Sequence, residues 1–193
     1  FYDYLINSQN EDFARKYLEA NENAIDYIEN IIKEENINCD FERENAYVFT
    51  NQKDELEKIK NEVHAVNKLK ENLCTYKQNL EVPFKALGAI EFKNQVKIHP
   101  TKYGYGLVKS ILKNKGEIFE NDVNNNKVIA DYVVIATRYP NMSFPGYYFL
   151  KMYQSTSFAM VFDCKSKLFN GMYISAEVPT MSFRTIKEKD KTL

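Results

Sequence analysis

Hydrophobic and polar positions follow two periods along the chain, and each change of period marks an expected element. Over 11–36, Phe13, Tyr17, Ala20, Ala24, Ile28 and Ile31 recur at three or four residues, which gathers them on one stripe of a helix. Asn10 is the expected N-cap, and Glu11 and Asp12 suit the first turn. Asn36 and Asn38 mark the stop. The period returns from about 53 to 73 in Leu56, Ile59, Val63, Val66, Leu69 and Leu73, with Asn51 as N-cap and a Glu/Lys face opposite. Residues 46–50, Ala-Tyr-Val-Phe-Thr, form a short strand between the two helices.

From 80 to 98 the helical period is lost. Val82-Pro-Phe84, Ala89-Ile-Glu-Phe92 and Gln95-Val-Lys-Ile98 alternate, with Gly88 and Asn94 as breaks. One or two short strands leading into His99-Pro100 are expected. A third helix is predicted over 102–115, capped by Thr101 and ended by Gly116. Tyr103, Leu107, Ile111 and Leu112 give its buried face. Gly104 and Gly106 cost helix stability there and are expected where another backbone approaches closely.

Residues 117–120 then read as a strand and Asn124 to Asn126 as a turn. The run 132–136, Tyr-Val-Val-Ile-Ala, is apolar without alternation and is stopped by Thr137, Arg138 and Pro140. That pattern predicts a strand buried on both faces, as in a parallel sheet covered by helices. Helix, strand, turn and buried strand is the order of an α/β nucleotide-binding layer. After Pro140, the runs 147–150, 157–162, 171–175 and 181–185 are strand-like, with the polar segment 164–169 as a hairpin turn between two of them. The expected fold class is therefore α+β (mixed α/β). An antiparallel sheet with helices is interleaved with one β/α segment.

Composition narrows the function classes. The 193 residues suffice for one large or two small domains. Net charge is −1, from 26 basic and 27 acidic residues, so there is no electrostatic footprint for nucleic acid or an anionic membrane. No apolar stretch approaches the ~20 residues that span a bilayer. Cys39, Cys74 and Cys164 are far apart and form no CxxC, which argues for free thiols and a cytoplasmic protein rather than disulfides or structural zinc. His64 has no second ligand four residues on, so no metal site is expected. The 14 Tyr and 13 Phe, with no Trp, fit the codon bias of an AT-rich genome better than a functional aromatic cage. The chain begins with Phe1 and ends in a charged run, and it is expected to be an internal part of a longer protein.

Four motifs carry a resemblance. His99-Pro100-Thr-Lys-Tyr103 with Gly106-Leu107 resembles an "HP-x-K-Y-x-x-G-L" helix start. Gly116-Glu-Ile-Phe-Glu-Asn-Asp-Val123 resembles the strand "G-x-I-x-E-x-x-V". Ala130-Asp-Tyr-Val-Val-Ile-Ala-Thr137 resembles "A-x-x-V-V-x-A-T-G". Gly171-Met-Tyr-Ile-Ser175 with Ser182-Phe-Arg-Thr185 resembles the late strands of a substrate domain. In this order they resemble the middle of the D-amino-acid-oxidase-like FAD oxidoreductases, the group of the glycine and sarcosine oxidases.

The resemblance implies a C–N oxidation of an amine or amino acid by hydride transfer to FAD. It implies a helical segment at 1–38, substrate-domain parts at 39–96 and 141–193, and a FAD-domain segment at 97–140. Val123 would lie beside the adenine, and Ala136 and Thr137 near the pyrophosphate and ribose. Arg138 replaces a motif glycine and is either near a phosphate or a surface arginine. The family's G-x-G-x-x-G turn and its glycine-rich C-terminal stretch are absent, so weak or no FAD binding is expected of these residues alone.

Flavin chemistry needs positioning groups rather than a triad, and no catalytic residue is assigned. Arg184, Tyr153 and Tyr173 are the substrate-binding candidates. Arg184 suits a substrate carboxylate or, as an edge-strand arginine, solvent; each tyrosine suits a pocket wall or the core. His99 is expected to end its strand and fix the turn. Two other readings stay open: a non-catalytic interaction domain docking through its long helices, and a flavoprotein with a nicotinamide partner. The substrate and oligomeric state are left open.

Overall fold

Asn10 opens the longest element as its sequence dictates: its side chain accepts a hydrogen bond from the Phe13 amide at 2.8 Å. The computed structural model describes residues 1–119, 129–137, 146–153, 155–163, 169–188 and 191–192. The chain divides into one unit of 1–118 with 163–193 and another of 119–162.

In the first unit, α1 (Tyr2–Ser8) is followed by α2 (Glu11–Glu34). The residues α2 buries are Ala14, Leu18 and Ile32, whereas Phe13, Tyr17, Ala20 and Ala24 are exposed. The buried stripe thus sits about 100° from the one anticipated, because two stripes one residue apart both keep the three–four spacing. Tyr17 instead meets the rings of Phe1 and Tyr2 at 5.3 and 6.2 Å.

Strand β1 (Glu42–Thr50) leads through a 3-10 turn (Lys53–Glu55) into α3 (Leu56–Leu69), which buries Ile59, Ala65, Val66 and Leu69. Asn51 does not cap it; its amide donates to Glu177 Oε1 at 2.8 Å. The helix ends before Leu73, and the chain turns at Asn72 in the left-handed region into β2 (Cys74–Lys77). That strand begins just past the helix expected over 53 to 73, where no element was expected. β3 is Gly88–Lys97 and α4 is Pro100–Lys113. His99, not Thr101, caps α4: its Nδ1 accepts from the Lys102 amide at 3.4 Å. Tyr103 and Leu107 pack on Ile37 and Cys39, while Ile111 and Leu112 are exposed. A Cβ on Gly106 would lie 2.3 Å from Ile37 Cγ2, and none would be met at Gly104. The close approach expected at these glycines is thus a side-chain contact, and at Gly106 alone.

After these come β4 (Met172–Ser175), β5 (Ser182–Phe183) and a separate pair, β6 (Lys187–Glu188) and β7 (Lys191–Thr192). The five-stranded sheet has the order β2-β3-β1-β4-β5. Its pairs are antiparallel except β1–β4, which is parallel and places Tyr47 opposite Tyr173. One face carries Val48, Tyr76, Ile90 and Phe92 against Leu18, Ile59 and Val66 of the helices. The other carries Phe49, Ala89 and Tyr173 under Leu80, Val82 and Phe84. The alternating stretch at 82–84 therefore belongs to a covering loop between β2 and β3, not to a strand. Among the described residues, four helices and a mixed five-stranded sheet make the fold α+β. Among the described residues no helix is long and apolar enough to cross a membrane.

In the second unit the expected buried strand at 132–136 is not found. Those residues have no strand pairing, and Tyr132, Val133 and Val134 are exposed. β-branched sequence favours extended backbone, but a strand exists only through its ladder and the layers that cover it. No other described residue pairs with this run. For the same reason 157–162 is an exposed segment without pairing, and 117–119 has none either. Residues 147–150 hold a 3-10 turn (Tyr148–Leu150) in place of a strand. The expected turn at Asn124 to Asn126, with Val123, Arg138 and 164–168, lies outside the described residues.

Candidate functional site

The face of the sheet away from the helices is apolar at one end and polar at the other. Strand register builds the polar end. Glu91 on β3 stands opposite Tyr47 on β1 and Thr75 on β2, and Lys77 lies two residues on from Thr75, on the same face. Glu91 is only 5% exposed, so its carboxylate needs partners. It has four. Tyr47 Oη and Asn45 Nδ2 donate to Oε1 at 2.7 and 3.0 Å. Thr75 Oγ1 donates to Oε2 at 2.7 Å, and Lys77 Nζ pairs with it at 3.3 Å. Burial works to raise the Glu91 pKa, yet the bonds from Tyr47, Thr75, Asn45 and Lys77 together hold it below the usual carboxylate value. Burial, and then the bond to Glu91, push the Tyr47 phenol well above its usual value.

Tyr47 and Tyr173, paired across the parallel strands, stack at 4.5 Å with rings 5° apart. Tyr173 Oη donates to the Asn170 carbonyl at 3.0 Å. Gly171, at φ +108°, makes this possible: a Cβ there would sit 2.6 Å from the Tyr47 ring. Its amide donates to Glu44 Oε1 at 2.7 Å, and Glu44 pairs with Lys97 at 2.8 Å. Beside the stacked rings opens a cleft of about 420 Å³ walled by Tyr47, Tyr173, Lys77, Asn79, Glu81 and Asn170, among others.

Of the residues singled out in the sequence, Tyr173 enters this cleft. Arg184 follows β5 with an exposed side chain and does not line it. Tyr153 is 91% exposed in the second unit. Ala136 and Thr137 are also in that unit, on a segment without strand pairing and with exposed side chains. Tyr47, Glu91 and Lys77 were not anticipated. The available signal was Glu91 itself, a carboxylate inside the apolar alternation Ala89-Ile-Glu-Phe92. Among the described residues no group of three or more His, Cys, Asp or Glu could hold a metal ion.

The sequence model of the FAD-dependent oxidoreductases, DAO, matches residues 3–168. The chain belongs to the FAD-dependent oxidoreductase (DAO) family. It is also 29% identical over 198 aligned residues to a Bacillus subtilis (strain 168) protein named "Putative Rieske 2Fe-2S iron-sulfur protein YhfW". That alignment covers 95% of this chain and 39% of the relative, so the chain spans about two-fifths of the relative's length. No solved structure matches the chain.

The described residues of this DAO-family chain do not by themselves fit a flavin dinucleotide. The chain has no G-x-G-x-x-G turn to cradle a pyrophosphate, and Ala136 and Thr137 form no enclosed cradle in its place. They do not fit a Rieske cluster either, which needs two cysteines and two histidines. Cys74 and Cys39 are buried in separate apolar clusters. His64 is on α3, and His99 is engaged as a helix cap.

Proposed function

We propose that this chain is part of an FAD-dependent oxidoreductase that oxidises a C–N bond of a small amine or amino acid. The observation that carries the reading is the DAO match over 3–168. The polar cleft on the open sheet face supports it as a substrate wall, with Tyr173 among its residues. In this reading 39–96 and 141–193 belong to a substrate domain and 97–140 to the FAD domain. Ala136, Thr137, Val123 and Arg138 are then cofactor-binding residues, and Arg184, Tyr153 and Tyr173 substrate-binding residues. The exposed apolar run Ile129, Tyr132, Val133 and Val134 supports a strand seated in a larger sheet. In this reading the protein is cytoplasmic. When bound, FAD accepts the hydride.

The test is to purify a longer protein containing this chain, record its visible spectrum, and screen amines and amino acids for dye reduction. A yellow, amine-reducible protein is expected. A colourless protein with no affinity for FAD would overturn the reading. The name of the Bacillus relative favours one addition: electrons leaving the flavin pass to a 2Fe–2S centre held outside the residues aligned here. Absence of an iron–sulfur EPR signal from the reduced longer protein would remove that addition and leave the rest.

A further inference from the structure

We infer that residues 78–86 are a strap that lifts from the open face of the sheet while the strands stay paired, with the Phe84 ring as its latch. β2 and β3 are antiparallel neighbours, with Lys77 opposite Ala89, and about two to five residues suffice to join such a pair. The connection here runs from 78 to 87 and is laid back across the face of its own sheet. Its side chains alternate as it goes. Leu80, Val82, Phe84 and Ala86 are half-buried on the cluster of Phe49, Ala89 and Tyr173, while Glu81, Pro83 and Lys85 are exposed. The Phe84 ring stacks on Phe183 at 4.3 Å. It also stands 4.9 Å from the Phe49 ring and 5.7 Å from those of Phe169 and Tyr173.

What the strap lacks is a ladder. None of residues 78–86 makes a hydrogen bond or an ion pair with the described residues. The first tie is the Leu87 amide, which donates to the Thr50 carbonyl at 2.8 Å. The backbone polar groups of the strap are therefore left to water. A segment held by apolar contacts alone, with its backbone already hydrated, belongs to the low-stability end of a fold and opens without breaking the sheet. The floor beneath it is the opposite: Phe49, Ala89 and Tyr173 are 1%, 0% and 5% exposed and sit on three paired strands. Asn79, Leu80 and Glu81 of the strap also form part of the cleft wall, together with Tyr47, Lys77 and Asn170. Lifting the strap thus removes one wall of the cleft and joins it to the apolar floor. The result is one groove, polar at Lys77 and Asn170 and apolar at Phe49 and Ala89.

The experiment uses the full 193-residue chain with Ala89→Cys in a Cys164→Ser background, the adducts being located by mass spectrometry. At pH 8 the introduced thiol, under the strap, is expected to react with Ellman's reagent about 100-fold faster than Cys74, which lies beneath the helices on the other face. Its rate is expected to change little with urea below the unfolding transition, because lifting a strap exposes little surface. The Cys74 rate should climb with the full slope of unfolding. Adding Phe84→Ala is expected to speed the introduced thiol by about tenfold or more. Equal rates or equal urea slopes for the introduced thiol and Cys74 would show that only global unfolding uncovers the floor, and would overturn the inference. So would an unchanged rate in Phe84→Ala. If Ala89→Cys fails to fold, trypsin on the unaltered chain decides. Cleavage after exposed Lys85 is expected without urea, and cleavage after exposed Lys60 of α3 only near the transition; cleavage of the two in step would overturn the inference. Neither measurement needs flavin or substrate, so both stand apart from the FAD assay.

Discussion

Replacing Glu91 by glutamine changes one atom of a buried side chain that holds four partners. The amide oxygen can still accept from Tyr47 and Asn45, but both bonds now end on a neutral acceptor. Bonds to charged groups contribute about 1.5–3 kcal/mol and neutral ones about 0.5–1.5, so each weakens by about 1 kcal/mol. On the other side an NH₂ replaces Oε2. The Thr75 hydroxyl can rotate to accept from it, while half-exposed Lys77 loses its partner and turns to water, at little net cost. The sum is a loss of about 2–3 kcal/mol for Glu91→Gln. Glu91→Ala leaves the donors unpaired and is expected to cost about 3–5 kcal/mol. Urea unfolding at pH 7 measures both; with a slope of about 2 kcal/mol per molar, Glu91→Gln moves the midpoint down by about 1 M.

Acid supplies the control. The folded pKa of Glu91 lies below its unfolded value of about 4.3. Its contribution is therefore fully present above about pH 4.3 and is lost as the pH falls through the lower folded value. Unaltered and Glu91→Gln proteins should converge in stability as the pH falls through that lower folded value. A gap under about 0.5 kcal/mol at pH 7, or one that widens in acid, would refute the four-donor picture.

The remaining predictions test the packing around this network. Gly106→Ala should destabilise by about 1–3 kcal/mol, because its Cβ meets the buried Ile37 side chain at 2.3 Å. Gly104→Ala, which meets nothing, should stabilise α4 by about 0.5–1 kcal/mol; matched urea melts in which the two shift alike would contradict the placement of α4. Phe49 is 1% exposed with the Phe84 ring at 4.9 Å. Phe49→Ala should therefore cost about 3–5 kcal/mol and lower the thermal midpoint by about 10 °C by calorimetry. Burial pushes the Cys74 thiol up to about 11 and also raises that of Cys39. In a Cys164→Ser background at pH 8, neither should react with Ellman's reagent until guanidinium is added.

Local rules in the chain identified the helices well. Asn10 caps α2 as its position implied, and the apolar spacing from Leu56 to Leu69 placed α3. The alternation at 89–92 and the strand-like run at 171–175 gave β3 and β4, and both strands carry apolar side chains into a core. What could not be read depended on partners distant in sequence. Which of two stripes α2 buries was decided by Tyr17 meeting α1. β2 is four residues long, too short for a period to declare itself, and exists because β3 pairs with it. The run at 132–136 shows the converse: its apolar, β-branched pattern is strong, but no described strand pairs with it. At the candidate site, Tyr173 was legible as an aromatic on a strand. Tyr47 was not, because its role comes from a parallel pairing with a strand more than a hundred residues away.

Glu91 also bears on why the polar end of the sheet is built as it is. A buried ion pair is seldom the most stable filling for a site; apolar residues of like volume usually serve stability as well or better. The same face shows that filling a few residues away, where Phe49, Ala89, Phe84 and Phe183 pack without polar atoms. Stability alone therefore does not account for Glu91, Thr75, Asn45 and Lys77. What the network does achieve is directional: it fixes the Tyr47 ring against Tyr173 and sets which way the phenolic proton points. A local breach of the apolar pattern whose product is one oriented hydrogen bond at the wall of a cleft has the form expected of a binding surface rather than of a core.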